Sequence, residues 1–142
     1  MKNLFEHYTD SEGLYARMAS RVCDKYGLTQ MEFHILLFLS NNPQYDTASQ
    51  IVRFRHLTKS HVSVSVRSLL RRGLLEGVPG KQRSVHLKVM PEAMPIVEDG
   101  RAVQKKFTDT VFAGFTREER QLWDSFTQRM DDNVDNYREE GL

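Results

Sequence analysis

The chain has 142 residues, of which 39% are hydrophobic and 27% are charged, and its formal net charge at pH 7 is +1. These values are ordinary for a soluble globular protein, and the length favours one domain that can bury a core. No run of apolar residues approaches the roughly 20 of a membrane span and the N-terminus lacks a signal-peptide core, so we expect a cytoplasmic protein without a membrane partner.

An apolar stripe predicts the first helix, from about residue 5 to residue 26. The stripe has the spacing of a single helical face and consists of Leu14, Met18 and Val22. Gly27 follows directly, and glycine is a typical helix terminator because it readily adopts the left-handed conformation needed there.

Two further helices are predicted after short connections. Thr29 is suited to cap a strongly apolar second helix, and the Asn41-Asn42-Pro43 run should end it. Thr47 is suited to cap a short third helix. We expect Ile51 and Phe54 of this third helix to point inward.

The fourth helix, from Thr58 to about Arg72, has two faces of different chemistry. Its apolar stripe, which we expect to be buried, consists of Val62, Val66 and Leu69. The opposite side carries mostly small or basic side chains, namely Ser60, Ser63, Val64 and Arg67. Gly73 should terminate the helix.

Two short strands are predicted after the fourth helix, at residues 74–78 and 84–89. The second alternates apolar and polar residues with period two, as a half-buried strand does. Pro79 and Gly80 supply the turn between the strands, and Lys81 and Arg83 make the tip of this hairpin basic.

The C-terminal third of the chain is predicted to be helical. Pro91 is a good first residue for a long helix to about Phe115, and Thr116 with Glu119 forms a capping-box pattern for a last helix. Apolar side chains recur along the last helix among many charges; they are Leu122, Trp123, Phe126, Met130, Val134 and Tyr137. The element order predicts a mainly α (α+β) fold, a winged helix-turn-helix lobe with helical extensions.

Charge is distributed very unevenly along the chain. Residues 47–90 contain nine basic residues and one acid, Glu76, whereas the rest of the chain contains 11 basic and 18 acidic residues. A basic segment beside a regular helix pattern is most simply explained by a polyanionic partner, and DNA is the usual one. The alternative is a solvated surface without a partner.

A helix of a helix-turn-helix fits the major groove of B-DNA, where its exposed face reads base edges. The fourth helix suits this role because Ser60 and Ser63 allow close approach, while Val64 offers a contact for a thymine methyl group. Basic side chains beside them suit phosphates, and the hairpin tip suits the adjacent minor groove. The predicted DNA-binding residues are Thr58, Lys59, Ser60, His61, Ser63, Val64, Arg67, Arg71, Arg72, Lys81 and Arg83.

The chain has the segment Leu57-Thr58-Lys59-Ser60-His61-Val62-Ser63, followed by Val66 and Leu69 and by the segment Arg72-Gly73-Leu74-Leu75. With these residues the fourth helix and the turn after it resemble the MarR family of bacterial transcriptional regulators. There are departures from the family pattern. Lys81 occupies the wing position where the family usually has an Asp that pairs with the following Arg. Arg55 occupies a position that is usually apolar, and we expect Phe54 to take over its packing.

The resemblance implies a homodimer that binds a palindromic operator in double-stranded DNA. It implies one MarR-like domain over residues 1–142, with dimerisation helices at 1–27 and 91–142 and a winged helix-turn-helix lobe at 28–90. The terminal helices agree, because they carry more apolar surface than one small winged core can cover. Twofold symmetry would match half-sites about one DNA turn apart.

The resemblance also implies a response to a small molecule, often a small aromatic ligand. The side chains predicted to line its pocket are Tyr15, Met18, Phe33 and Leu37, although such a stripe is more often core. Cys23, the single cysteine, is an alternative sensor as a reactive thiol, or as a zinc ligand with His7 and His34. The apolar neighbours of Cys23 favour burial, which disfavours a reactive thiol. No pair of these three residues has compact ligand spacing, so we expect no metal site and no cofactor.

The sequence contains no catalytic motif that we recognise: it lacks a nucleophile elbow, a P-loop and a glycine-rich dinucleotide turn. We therefore expect no enzyme activity. The competing hypothesis is a winged helix that binds protein in place of DNA. Such a module would expose bulky apolar groups between Ser60 and Arg67, where this chain has mainly small polar and basic ones. The sequence thus favours a transcriptional regulator, most simply a repressor.

Overall fold

The computed structural model describes residues 1–141. Within these residues the elements are α1 Leu4–Tyr26, α2 Gln30–Asn41, α3 Ala48–Arg55, α4 Lys59–Arg71, β1 Leu75–Pro79, β2 Val85–Val89, α5 Met94–Val111 and α6 Arg117–Gly141. Short 3₁₀ turns lie between the strands, at Lys81–Arg83, and before α5, at Pro91–Ala93. The predicted mainly α (α+β) fold is confirmed, because a helix-turn-helix is followed directly by a two-stranded wing.

Local capping explains where the helices begin and end. The N-caps of the first four helices each have a side chain that accepts a hydrogen bond from the first turn; they are Asn3, Thr29, Thr47 and Thr58. Gly27 after α1 and Gly73 after α4 both have left-handed backbone, with φ of 65° and 71°. The predicted caps and terminators of these elements are confirmed.

The first compact unit spans residues 1–107 and contains the hydrophobic core. Its largest fully buried side chains come from α2, α3, α4 and α5 and are Phe33, Ile35, Leu36, Leu37, Ile51, Val62, Leu69 and Val97. Each such side chain contributes roughly 1.5–3 kcal/mol on burial. Gly100 of α5 lies against this core, and a Cβ atom there would come within 2.6 Å of Leu37 Cδ2. Helix α5 can therefore pack this closely against the core because Gly100 has no side chain.

The two strands form an antiparallel wing in which Leu75 lies opposite Val89 and Pro79 lies opposite Val85. Strand β1 packs against α4 and β2 packs against α2. The backbone N–H of Leu87 also donates to the carbonyl of Asp46, in the loop before α3, over 2.7 Å. The wing thus contacts α4 through β1, and it contacts α2 and the loop before α3 through β2.

The prediction that Phe54 points into the core is wrong. Its side chain is 40% exposed and its ring stacks on that of Tyr45, with 4.3 Å between ring centroids. The guanidinium of Arg53 lies 5.4 Å from the same ring. Helix α3 has only eight residues and buries Ile51 alone, so its last turn extends beyond the core and Phe54 cannot supply the packing that Arg55 lacks.

The long helix predicted from Pro91 to Phe115 is shorter at both ends. Pro91 opens a 3₁₀ turn, α5 proper begins at Met94, and it ends at Val111. Gly114 then has a left-handed backbone, with φ of 82°, which ends the helical path before α6.

The second compact unit begins at Thr108 and contains α6. The predicted capping box at its start is confirmed, since Glu119 N–H donates to Thr116 Oγ1 and Thr116 N–H donates to the Glu119 carboxylate. Phe112 packs edge-on against Trp123, and the Arg120 guanidinium lies 3.6 Å from the centre of the Phe112 ring.

None of the helices in the described part of the chain combines the length and apolar character that crossing a bilayer requires.

Candidate nucleic-acid interface

Helix α4 divides its side chains cleanly between core and solvent. The side chains that face the core are Val62, Ser65, Val66 and Leu69. On the other side, an open hollow of about 600 Å³ is lined by Lys59, Ser60, Ser63, Val64 and Arg67. The structure therefore brings five of the predicted DNA-binding residues together on one exposed surface, which we call the α4 face. No acidic side chain lines it.

The inner side of α4 is anchored by a buried carboxylate. Ser68 Oγ donates to Glu32 Oε2 over 2.9 Å, and Thr29 N–H donates to Glu32 Oε1 over 3.0 Å. Burial alone would raise the pKa of Glu32, but the hydrogen bonds from Thr29 and Ser68 outweigh it and hold the pKa below its ordinary value. An ionised carboxylate inside the lobe thus fixes α4 against the start of α2.

The remaining predicted residues of α4 lie at its two ends. Thr58 is the N-cap, whose Oγ1 accepts from the His61 N–H over 3.4 Å, so the Thr58 hydroxyl has a structural task. The His61 and Arg71 side chains are exposed, beside the first and last turns. Both remain accessible to a ligand that approaches the α4 face from either end.

Arg72 makes a contact within the chain that the sequence did not indicate. Its guanidinium donates to the carbonyl of Gly27 over 3.0 Å and to that of Tyr26 over 2.6 Å. These carbonyls lie at the C-terminal end of α1. A positive charge is favourable there because the helix dipole gives this end a partial negative charge. The structure thus shows Arg72 joining α4 to α1, and its contact with a phosphate stays a prediction.

The wing tip presents two exposed cations in a compact turn. Gly80 N–H donates to the Ser84 carbonyl over 2.8 Å, and Ser84 Oγ donates to the Lys81 carbonyl over 2.6 Å. Lys81 and Arg83 are exposed, and Arg83 has a left-handed backbone with φ of 62°. Ser84 therefore closes the turn that an Asp–Arg pair would shape in the family pattern.

A polar pair at the root of the wing was not predicted. His86 Nδ1 lies 2.7 Å from Asp46 Oδ1, and both side chains are partly exposed. The strand alternation at Val85, His86 and Leu87 marks His86 as lying on the face opposite Leu87. Nothing in the sequence places the loop before α3 beside it, because that contact is made between residues 40 positions apart.

The predicted ligand pocket is not formed by the four residues as a group. Phe33 and Leu37 are buried in the core against Gly100, so they do not line an open cavity. Tyr15 packs between His34 and Phe107. Met18 lines a separate groove of about 510 Å³ between α1 and α5, whose other residues are Leu14, Arg17, Arg21, Ala102, Val103 and Lys106.

The thiol of Cys23 is buried, with 4% of the residue exposed, and its Sγ lies 3.8 Å from the Thr29 carbonyl. Burial, and then the nearby Asp24 carboxylate, raise the pKa of this thiol, which disfavours the reactive thiolate. Among the described residues no three His, Cys, Asp or Glu side chains are grouped so that they could hold a metal ion, and His7, Cys23 and His34 form no such group.

Comparison with known proteins shows which family the lobe resembles. A model of the MarR family matches residues 26–84. No curated protein matches the chain.

Solved structures share the fold over most of the chain. A putative MarR-family regulator from Listeria monocytogenes, complexed with a 26mer DNA, has a TM-score of 0.84 at 14% identity, covering 99% of this chain and 97% of that one. A MarR-family regulator from Silicibacter pomeroyi has a TM-score of 0.79 at 21% identity, covering 89% and 86%.

A third structure concerns control of DNA binding by a small molecule. It describes regulation of Bordetella bronchiseptica BpsR by 6-hydroxynicotinic acid and has a TM-score of 0.66 at 18% identity, covering 91% of this chain and 94% of that one. The resemblance to the MarR family is thereby confirmed: the chain matches the family's sequence model over residues 26–84 and has the fold of the family's solved regulators.

Proposed function

We propose that this chain is a homodimeric, sequence-specific DNA-binding transcriptional regulator, most simply a repressor, that acts in the cytoplasm on a palindromic operator. The observation that carries the proposal is the α4 face, an exposed surface with two cations, two serines and no lining carboxylate. A helix with these properties fits a major groove, and double-stranded DNA is the polyanion that has a major groove of the required width. The Listeria monocytogenes relative of the same fold was solved with DNA.

In this proposal some residues of α4 contact base edges, whereas other residues of α4 and of the wing tip contact phosphates. Ser60 and Ser63 permit close approach and hydrogen bond to base edges, Val64 contacts a thymine methyl group, and Arg67 reaches a guanine. Phosphates are held by the exposed cations at the ends of the helix and on the wing tip; these are Lys59, Arg71, Lys81 and Arg83. His61 adds a donor beside the first turn.

Dimerisation is supported by apolar side chains that each compact unit leaves in solvent. In the first unit, Leu4, Phe5 and Tyr8 of α1 are all more than half exposed. In the second unit, the exposed stripe of α6 consists of Leu122, Trp123, Phe126, Met130, Val134 and Tyr137. Monomers rarely expose apolar patches of this kind, so we propose that residues 1–27 and 91–142 of a single MarR-like domain form the dimer around lobes at 28–90.

Control by a small aromatic ligand is the second part of the proposal. The groove between α1 and α5 is lined by apolar side chains that include Met18 and by three basic ones, Arg17, Arg21 and Lys106. This composition suits an aromatic molecule that carries a negative charge. A ligand there would change the spacing of two α4 helices across a dimer, and a shift of a few Å would weaken binding because the spacing must match the duplex.

The competing functions have less support from the molecule. A protein-binding winged helix would expose bulky apolar groups on the α4 face, where Val64 is the single aliphatic side chain. A thiol sensor would need an accessible thiolate, whereas Cys23 is buried. We propose no catalytic activity for this chain, since the α4 face holds no acid–base pair or nucleophile arrangement.

The decisive experiment is selection of DNA from a random library on the purified protein, followed by titration of the selected duplex at two salt concentrations. We expect a palindrome with half-sites about one turn apart, and affinity that falls as salt rises. Recovery of no motif, with weak and steeply salt-dependent binding, would overturn the proposal and favour the protein-binding alternative. Sedimentation of the free protein tests the dimer separately.

A further inference from the structure

The contact between Asp46 and His86 joins the wing to the helix-turn-helix through side chains. His86 lies on β2, and Asp46 lies in the loop between α2 and α3, with 2.7 Å between Nδ1 and Oδ1. A carboxylate can only accept, so Nδ1–H of His86 is the donor in this contact. Part of each side chain remains in solvent, which makes the contact accessible to change without opening the core.

Asp46 is bonded in two further directions through its backbone. Its carbonyl accepts from Leu87 N–H over 2.7 Å, and its own N–H donates to Gln50 Oε1 over 3.0 Å. Gln50 Oε1 also accepts from the N–H of Thr47, the N-cap of α3, over 3.1 Å. One residue therefore connects β2 with the first turn of α3, which in turn packs against α4.

His86 is also held from its other side by the wing tip. A Cβ atom at Gly80 would lie 2.5 Å from His86 Cδ2 and 2.5 Å from Nε2, so the ring rests directly on the Gly80 backbone. Gly80 begins the turn that carries Lys81 and Arg83, and its N–H donates to Ser84. The imidazole is thus placed between the loop before α3 and the turn with the two wing cations.

We propose that His86 is a positioning residue: by bonding to Asp46 and supporting Gly80, it sets the angle of the wing so that Lys81 and Arg83 meet the phosphates beside the half-site read by α4. This inference rests on the proposed DNA-binding function and adds a residue that does not itself touch DNA. It also explains how the wing of this chain is oriented without the Asp–Arg pair of the family pattern, since Lys81 replaces the Asp.

The test compares two amides at position 86. In H86N the amide N–H lies near the place of Nδ1, whereas in H86Q it lies one carbon further out, near the place of Nε2. We expect H86N to bind the selected duplex like the parent and H86Q to lose affinity roughly 10-fold, the size expected when one or two phosphate contacts are lost. The log–log salt slope of H86Q should flatten by about 0.9 for each lost contact.

A double-mutant cycle separates positioning from a general loss of stability. In a K81A/R83A background the wing tip has no cations to position, so adding H86Q should change neither affinity nor salt slope. A purely structural role would lower affinity equally in both backgrounds. H86N is the matched control, because it changes the same side chain but keeps a donor near the place of Nδ1.

The outcomes separate the two proposals. If the parent protein selects no DNA motif, the proposed function fails. If the parent binds specifically but H86Q binds with the parent's affinity and salt slope, the function stands and the role given to His86 is wrong. The same conclusion follows if H86N and H86Q lose equal affinity, since the two differ in where they place the donor.

Discussion

Helices α4 and α6 are both amphipathic, but the apolar stripe of α4 is buried and that of α6 is exposed. In α4 the stripe is closed into the core, and Leu69 is 0% exposed. In α6 the stripe lies in solvent, and Phe126 is 52% exposed. The charges differ as well: α4 has three basic residues and no acid, whereas α6 has eight acids and four basic residues.

The difference indicates which kind of partner each helix needs. Since the apolar side of α4 is already satisfied within the chain, its remaining face is polar and basic and is suited to a polyanion. Apart from Phe112 packed against Trp123, the apolar side of α6 has no such cover among the described residues of its own unit, so it is suited to another apolar surface. A second copy of the chain offers one, with the acids of α6 keeping the outer side in water.

The largest expected effect comes from placing a charge in the α6 stripe. Phe126→Asp should convert the proposed dimer to a monomer, because an unpaired carboxylate in the proposed apolar interface would cost several kcal/mol. Specific DNA affinity should then fall at least about 100-fold, since one half-site is bound at a time. Sedimentation equilibrium and titration of the selected duplex measure both effects.

Gln121→Asp is the control for this variant. Position 121 lies on the side of α6 opposite Phe126, by the helical spacing of 100° per residue, and it receives the same added charge. A Phe126→Asp protein that sediments like the parent would show that the exposed stripe is not the dimer surface.

The next effect is expected on the α4 face. Arg67→Ala should lower affinity for the selected operator by about 1–3 kcal/mol and relax the preference at one base pair, because a bidentate contact to guanine carries that much discrimination. Binding to unrelated duplexes should change much less. Equal loss on all sequences would place Arg67 on a phosphate instead of a base.

Features that depend on neighbouring residues could be predicted from the sequence alone. The caps at Thr29, Thr47 and Thr58 and the terminators Gly27 and Gly73 follow from side-chain and backbone chemistry within one turn. The stripe of α4 follows from helical spacing, which determines its exposed face in turn. For this reason the sequence alone predicts the exposed surface from Lys59 to Arg67.

Features that depend on packing between distant elements were missed. Phe54 has the correct spacing for a core residue, but α3 ends too soon for it to reach the core. Arg72 has the charge for phosphate, but the end of α1 lies beside it. The Asp46–His86 contact joins residues 40 positions apart. In each case the side chain's partner belongs to another element, which local patterns do not identify.

A smaller effect tests how firmly the inner side of α4 is anchored. Because hydrogen bonds lower the pKa of Glu32 in the folded protein, its ionised form contributes stability above the ordinary pKa of a glutamate, and this contribution is lost as pH falls through the folded value. Glu32→Gln keeps the capping geometry but removes the charge, and should cost about 1 kcal/mol at pH 7. The loss of stability caused by Glu32→Gln should be smaller at pH 3 than at pH 7.

Urea unfolding at the two pH values measures the free energy of unfolding for parent and variant. Glu98→Gln, a change of the same chemistry at an exposed position of α5, should have little effect at either pH. A Glu32→Gln protein with an equal deficit at pH 7 and pH 3 would contradict the role given to the ionised carboxylate.

The smallest effect is expected at the wing tip, and it distinguishes the wing from the α4 face. Arg83→Ala removes one exposed cation that we assign to a phosphate, so affinity should fall by roughly threefold to fivefold on every duplex, with the order of preference among sequences unchanged. The log–log salt slope should flatten by about 0.9, whereas a base contact such as that proposed for Arg67 changes preference more than slope. Titrations of operator and unrelated duplexes at several salt concentrations resolve the two behaviours. A change in sequence preference caused by Arg83→Ala would show that the wing, and not α4 alone, reads the operator.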